Sequence, residues 1–344
     1  MPRPSGQTDP EKRPTVRRVA EIAGVSAMTV SRALRNNPRV ILSERKRIQK
    51  IATKLGYRPD PEVAKLMSHL RRRDKAQLVA SIAAVTSIPE DMEPPQLRKA
   101  YDSARLRAES LGYRLELFRI TEPERFNRQL ERTLVNRGIE GVLLLQMVNP
   151  VAMDNFLSWD KFSATVATPS VLGPDFPRAG VNYFHNARVM CEQLALRGCK
   201  RIGFVGSDTF CVRTNEAFSA AAAWQNLRAG EEPVKPLVFK THAEMTSGFD
   251  SWLKRERPDA IIAHAENILL HLKERLALYS GGRVLLTCTS INSPKPICPG
   301  IDERHELIGH KAVDILTGLL NRNEKNIRST HAASLIDGQW VELC

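Results

Sequence analysis

The 344-residue chain carries 51 Lys and Arg against 38 Asp and Glu, a formal net charge of +13, with 42% hydrophobic residues. That apolar content excludes general disorder, the length predicts two or three domains, and no apolar run approaches the roughly 18 residues of a membrane span. Residues 1–75 hold 19 basic and 7 acidic residues, a net of +12, while the other 269 carry a net of +1. This asymmetry implies a polyanion-binding module on a neutral body, with nucleic acid rather than a membrane surface as its partner.

In chain order, residues 1–13 read as a solvated, disordered tail; they lack the apolar core of a secretory signal, so the chain is expected in the cytoplasm. Thr15 suits the N-cap of a first helix, VRRVAEIA, whose Val16, Val19, Ala20 and Ala23 form an apolar face. Gly24 ends it, and Ser26 caps a second helix in which Val30, Ala33 and Leu34 turn inward. A third helix from about Leu42 to Leu55 buries Ile48, Ile51, Ala52 and Leu55. Two short helices joined across a glycine turn, with a third behind them, make a helix-turn-helix unit over residues 14–60. Its second helix leaves Ala27, Met28, Ser31 and Arg32 facing outward. Arg32 can bond the O6 and N7 edge of guanine, and Ala27 and Met28 can touch thymine methyls. Ser26, Thr29 and Ser31 suit phosphate oxygens, and Thr15 and Tyr57 complete the candidate phosphate contacts.

TVRRVAEIAGVSAMTVSRALRNNPRV followed by RKRIQKIATKLGYRPD resembles, without gaps from Thr15 to Asp60, the DNA-binding headpiece of the lactose-repressor (LacI) family. The resemblance implies base reading by Ala27, Met28 and Arg32, the first, second and sixth positions of the recognition helix. Where the family usually has a serine capping the third helix, this chain has Ile41, and the next hydroxyl is Ser43. Residues 61–77 read as a basic hinge in which Val63, Leu66, Met67 and Leu70 recur at helical spacing. The family's hinge helices order on DNA and wedge a leucine into the minor groove; that position falls on Leu66, with Met67 as its alternative.

From residue 78 onward apolar runs alternate with helical stretches. Strands are expected at 79–85, 113–120, 141–147, 164–171, 201–206, 237–240, 260–265 and 284–290, and helices near 96–111, 124–137, 184–197, 213–229, 243–256 and 267–279. This is an α/β body with parallel sheets. Resemblance to the family extends along it and implies a two-lobed, periplasmic-binding-protein-like core spanning 78–344, with three crossing strands and a cleft. Lobe 1 is placed at about 78–181 and 304–328, and lobe 2 at about 182–303 and 329–344. The family's effector-binding arginine is most nearly matched by Arg213, one place out of register against Phe218. Asn215, with Glu216 beside it, His264, Asn267 and Ser290 complete the expected effector contacts. The family's Asn-Asp pair after PDAIIAHA and its acidic residue after VLLTCTS are absent, with Glu266 beside Asn267 in the first stretch and Asn292 beyond Ser290 in the second.

An enzyme would be signalled by GxGxxG after a strand, GxxxxGK[ST], GxSxG or HExxH, and none of these is present. The six cysteines form no CxxC pair, so neither a metal, a cofactor nor a disulfide is expected. A stand-alone small-molecule-binding protein explains the two lobes but not the basic N-terminal module. The reading is therefore a homodimeric transcriptional repressor that binds pseudo-palindromic double-stranded operator DNA at the nucleoid. A small-molecule effector, a sugar or related metabolite, controls it. One short helix reads only a few base pairs, so specificity calls for two symmetric half-sites.

Overall fold

The computed structural model describes residues 15–34, 36–37, 39–57, 80–264, 266–280, 283–293, 295–325 and 333–343. The expected tail at 1–13 and hinge at 61–77, with Leu66 and Met67, lie outside them, as does the Asn267 side chain.

Three helices form the N-terminal unit: α1 (Val16–Ala23), α2 (Ala27–Leu34) and α3 (Leu42–Lys54). Val19, Ala20, Ala23, Val30, Ala33, Val40, Ile48 and Ala52 are buried together, so the spacing of small and β-branched residues in the sequence becomes one miniature core. Gly24 sits at φ +65°, the left-handed conformation that ends α1 and turns the chain into α2.

The body holds two six-stranded sheets. In the first, β1 (Ala80–Thr86), β2 (Tyr113–Arg119), β3 (Gly141–Leu144), β5 (Ser163–Val166), β7 (Arg178–Val181) and β13 (Ala333–Ile336) run in the order β13-β7-β5-β3-β1-β2, all parallel. Successive residues of β1 and β3 enter opposite cores, as period-two side chains must. Ala83, Val85, Val142 and Leu144 pack with Trp159, Phe162 and α5 (Arg128–Asn136). Ile82, Ala84 and Leu143 pack with α4 (Pro95–Ser110) and α11 (His305–Arg322). Helices α4 and α11 touch backbone to backbone at Gly309, where a Cβ would lie 2.0 Å from the Ala100 carbonyl oxygen.

The second sheet has the order β14-β12-β11-β10-β8-β9. Its strands are β8 (Ile202–Ser207), β9 (Leu237–Phe239), β10 (Ala260–Ala263), β11 (Leu285–Cys288), β12 (Gly300–Asp302) and an antiparallel β14 (Gln339–Val341). Around it lie α6 (Tyr183–Leu196), α7 (Asp208–Arg213), α8 (Ala217–Arg228), α9 (His242–Glu256) and α10 (Glu266–Ser280). A small parallel pair, β4 (Val151–Ala152) with β6 (Val171–Gly173), completes the strands among the described residues.

The chain passes between the sheets three times: from β7 to α6, from β12 to α11, and from β13 to β14. Three sequence expectations change. The C-terminal stretch placed wholly in lobe 2 divides, with β13 pairing to β7 in the first sheet and β14 entering the second. The strand expected over 164–171 stops at Val166, because the following segment leaves the sheet to build β6. The helix expected over 213–229 begins only at Ala217 and Arg213 instead closes the separate helix α7, because Asn215 and Glu216 between them take left-handed φ angles of +47° and +57°. That break leaves Arg213 at the end of α7, on the side where the strands of the second sheet terminate.

Candidate functional site

Two groups of residues concentrate chemistry. The first is the outer face of α2. Ser26 begins the helix: its Oγ accepts the Thr29 N–H at 3.1 Å and lies 2.9 Å from the Thr29 hydroxyl. Thr15 does the same for α1, accepting the Arg18 N–H at 3.3 Å. Val30 and Ala33 point into the core, so Ala27 and Met28 are exposed, Met28 by 61%. Thr29, Ser31 and Arg32 are half-buried beside them, and Tyr57 packs against the headpiece core. Arg18 and Arg47 are held by Glu21 and Glu44, whereas Arg32 ion-pairs with no described acid. Ile41 precedes α3 with no side-chain cap, as the sequence implies, and Ser43 lies within the helix rather than capping it.

The second group lies in the cleft where strands of both sheets end. A cavity of about 300 Å³ is lined from the first lobe by Asp175, Phe176 and Arg178 and from the second by Arg213 and Asn215. Arg213 Nε is buried and has no hydrogen-bond partner. An aromatic cluster lies close by in the second lobe: the Phe210 ring is 5.4 Å from Phe218 and 3.5 Å from the His264 imidazole, the latter pair nearly parallel at 11°. His264 Nδ1 is 3.0 Å from the Thr289 hydroxyl. Burial, and secondarily the Arg213 cation, pushes this imidazole down to about 3, so it stays neutral at any ordinary pH. Burial also raises the Tyr183 phenol, with Glu303 adding to the shift and Arg213 opposing it.

Of the expected effector residues, Arg213 and Asn215 line the cavity, and His264 lies close enough to Arg213 to feel its charge. Ser290 belongs to a neighbouring network: its hydroxyl donates to Glu303 Oε2 at 2.7 Å, while Asn292 Nδ2 donates to the Ser290 oxygen at 3.1 Å. His305 Nε2 is 3.0 Å from the same carboxylate oxygen. Glu303 is 6% exposed and sits on the second crossing between lobes. Sequence reasoning noted a missing acid after β11 and overlooked this one, which arrives from the end of β12. It also overlooked Arg178, whose position at the cleft edge follows only from β7 starting level with the end of β5.

Comparison with known proteins gives concordant results. Residues 15–60 match the model of bacterial regulatory proteins of the lacI family. The chain is 25% identical over 272 residues to the NTD biosynthesis operon regulator NtdR of Bacillus subtilis (strain 168), a match covering 74% of this chain and 75% of that protein. Among solved structures, the transcriptional regulator CelR–cellobiose complex is similar at TM-score 0.57 and 17% identity, over 96% of this chain and 98% of that one. The lac repressor dimer bound to operator and the anti-inducer ONPF is similar at TM-score 0.52 and 18% identity, with the same coverage. A LacI transcriptional regulator from Lactobacillus brevis matches at TM-score 0.57 and 16% identity, over 76% of this chain and all of that one. These structural matches carry the fold.

Proposed function

Because residues 15–60 match the model of lacI-family bacterial regulatory proteins and 74% of the chain aligns with the regulator NtdR, we propose that it is a transcriptional repressor of that family, whose hold on operator DNA is set by a small molecule between its lobes. The observation that carries this reading is the outer face of α2: exposed Ala27 and Met28 beside Arg32, which ion-pairs with no acid among the described residues, on a basic headpiece that precedes a two-lobed body. Arg32, Ala27 and Met28 read base edges; Thr15, Ser26, Thr29, Ser31 and Tyr57 position the backbone. Two copies bind a two-fold symmetric site. A ligand in the cleft favours one lobe arrangement over another, and the differential affinity reaches the headpieces through the crossings and the hinge. The role is one of binding rather than catalysis.

The test compares the full chain with a shortened chain starting at Gln77 on immobilised duplex DNA under a salt gradient. The full chain is expected to elute at much higher salt, with affinity falling steeply with ionic strength as counterions are displaced. Elution of both at the same salt overturns the proposal. This comparison also separates a repressor from a stand-alone binding protein of the same two-lobed shape.

A further inference from the structure

We propose that the cleft takes a small carboxylate-bearing molecule, gripped between Arg178 of the first lobe and Arg213 of the second; this deepens the regulatory reading above and rests on it. Arg178 and Arg213 line the same cavity of about 300 Å³, one contributed by each lobe. Neither ion-pairs with a described acid, and Arg213 Nε is a buried donor with nothing to bond. Leaving such a donor unsatisfied is costly, and the cost is larger for a charged group, so the geometry is poised for an acceptor from outside the protein.

The charge balance selects the acceptor. One acid, Asp175, stands among the lining residues against two arginines, a net of +1. The other nearby carboxylate, Glu303, already serves Ser290 and His305. His264 is neutral and adds no charge. Hydroxyls at the first-lobe strand ends are likewise engaged: Ser87 and Ser170 accept the Val148 and Met147 N–H groups, and Thr86 donates to the Gln146 carbonyl. Two of the four polar lining residues are therefore arginines, against the one carboxylate of Asp175 and the one amide of Asn215. A neutral polyol needs acceptors for its own hydroxyls; a carboxylate supplies acceptors alone and matches a guanidinium with two parallel bonds. The cavity is at the small end of the roughly 300–1,000 Å³ range of ligand pockets, and Phe176 and Val212 offer it apolar walls. Because each arginine comes from a different lobe, the same anion that neutralises both also draws the lobes together.

The experiment measures binding to the full chain by calorimetry at fixed ionic strength, using acid and neutral partners of matched shape: D-glucuronate against D-glucose, D-gluconate against D-glucitol, and benzoate against benzyl alcohol. At least one acid is expected to bind saturably and at least tenfold more tightly than its neutral partner. Arg178→Gln and Arg213→Gln should each weaken that acid tenfold or more, with Arg178→Lys retaining part of the affinity and none of the three variants falling below the wild-type thermal midpoint. Equal binding by a neutral partner, acid binding unchanged in both Gln variants, or no binding by any acid at millimolar concentration overturns the proposal. Operator affinity is measured in parallel. A neutral ligand that alters it leaves the regulator standing and removes the anionic ligand; an acid that binds through both arginines without altering operator affinity removes ligand control instead.

Discussion

Arg32 and His264 show how differently single residues can be read. Arg32→Ala should cost about 1–3 kcal/mol on the preferred operator and relax the preference at one base pair, measured by titrating operator variants. Equal weakening on every duplex would make Arg32 a phosphate contact. The outward face of α2 was legible because helical spacing determines which side turns inward, and Val30 and Ala33 are its buried residues. His264 was visible only as a polar residue at a strand end; its stacking on Phe210 depends on a helix more than fifty residues earlier in sequence. The unfolded imidazole titrates near 6.5 and the folded one at about 3, so below pH 6.5 the unfolded chain takes up a proton that the folded chain refuses. Stability carries no such cost above pH 6.5 and loses about 1.4 kcal/mol per unit as the pH falls below it. Urea midpoints at pH 7.5 and 5.0 should therefore diverge more for the wild type than for His264→Gln. Equal divergence would contradict the assignment.

At the scale of elements, α3 begins without a side-chain cap and α4 meets α11 backbone to backbone at Gly309. Ile41 leaves the first turn of α3 with orphan N–H groups, and its side chain is 70% exposed. Ile41→Ser should stabilise the headpiece by about 0.5–2 kcal/mol, seen as a rise in its thermal midpoint; no rise would mean that water already serves those donors. Gly309→Ala would drive a Cβ into the Ala100 carbonyl, so the two helices must separate. A loss of about 1–3 kcal/mol is expected in denaturant unfolding, with operator affinity per folded molecule tracking the damage to the first lobe. An unchanged midpoint would show that the α4–α11 contact yields freely. Long periodic elements such as α4 and β1 were legible within a residue or two, because hydrophobic period alone determines them. The break at Asn215 and Glu216 was not, since left-handed backbone at two non-glycine residues is held by tertiary contacts. The short strands β7, β12 and β13 escaped for the same reason: three or four residues carry too little pattern, and their partners are remote in sequence.

For the whole molecule, charge asymmetry pointed to the N-terminal three-helix unit and strand–helix alternation to the parallel sheets of the body. The division of the C-terminus between the sheets was not, because alternation says nothing about which sheet receives a strand. The cleft's composition was only half legible. Arg213 could be singled out, but Arg178 and Glu303 reach the cleft by topology. The most direct measurement of the central claim is selection of duplexes from a random pool by the full-length protein, repeated with Arg32→Ala. The account predicts enrichment of two inverted half-sites, with the information at one base pair of each half lost in the variant. Enrichment of nothing beyond the input, or of a single asymmetric site that the variant binds equally, would contradict it.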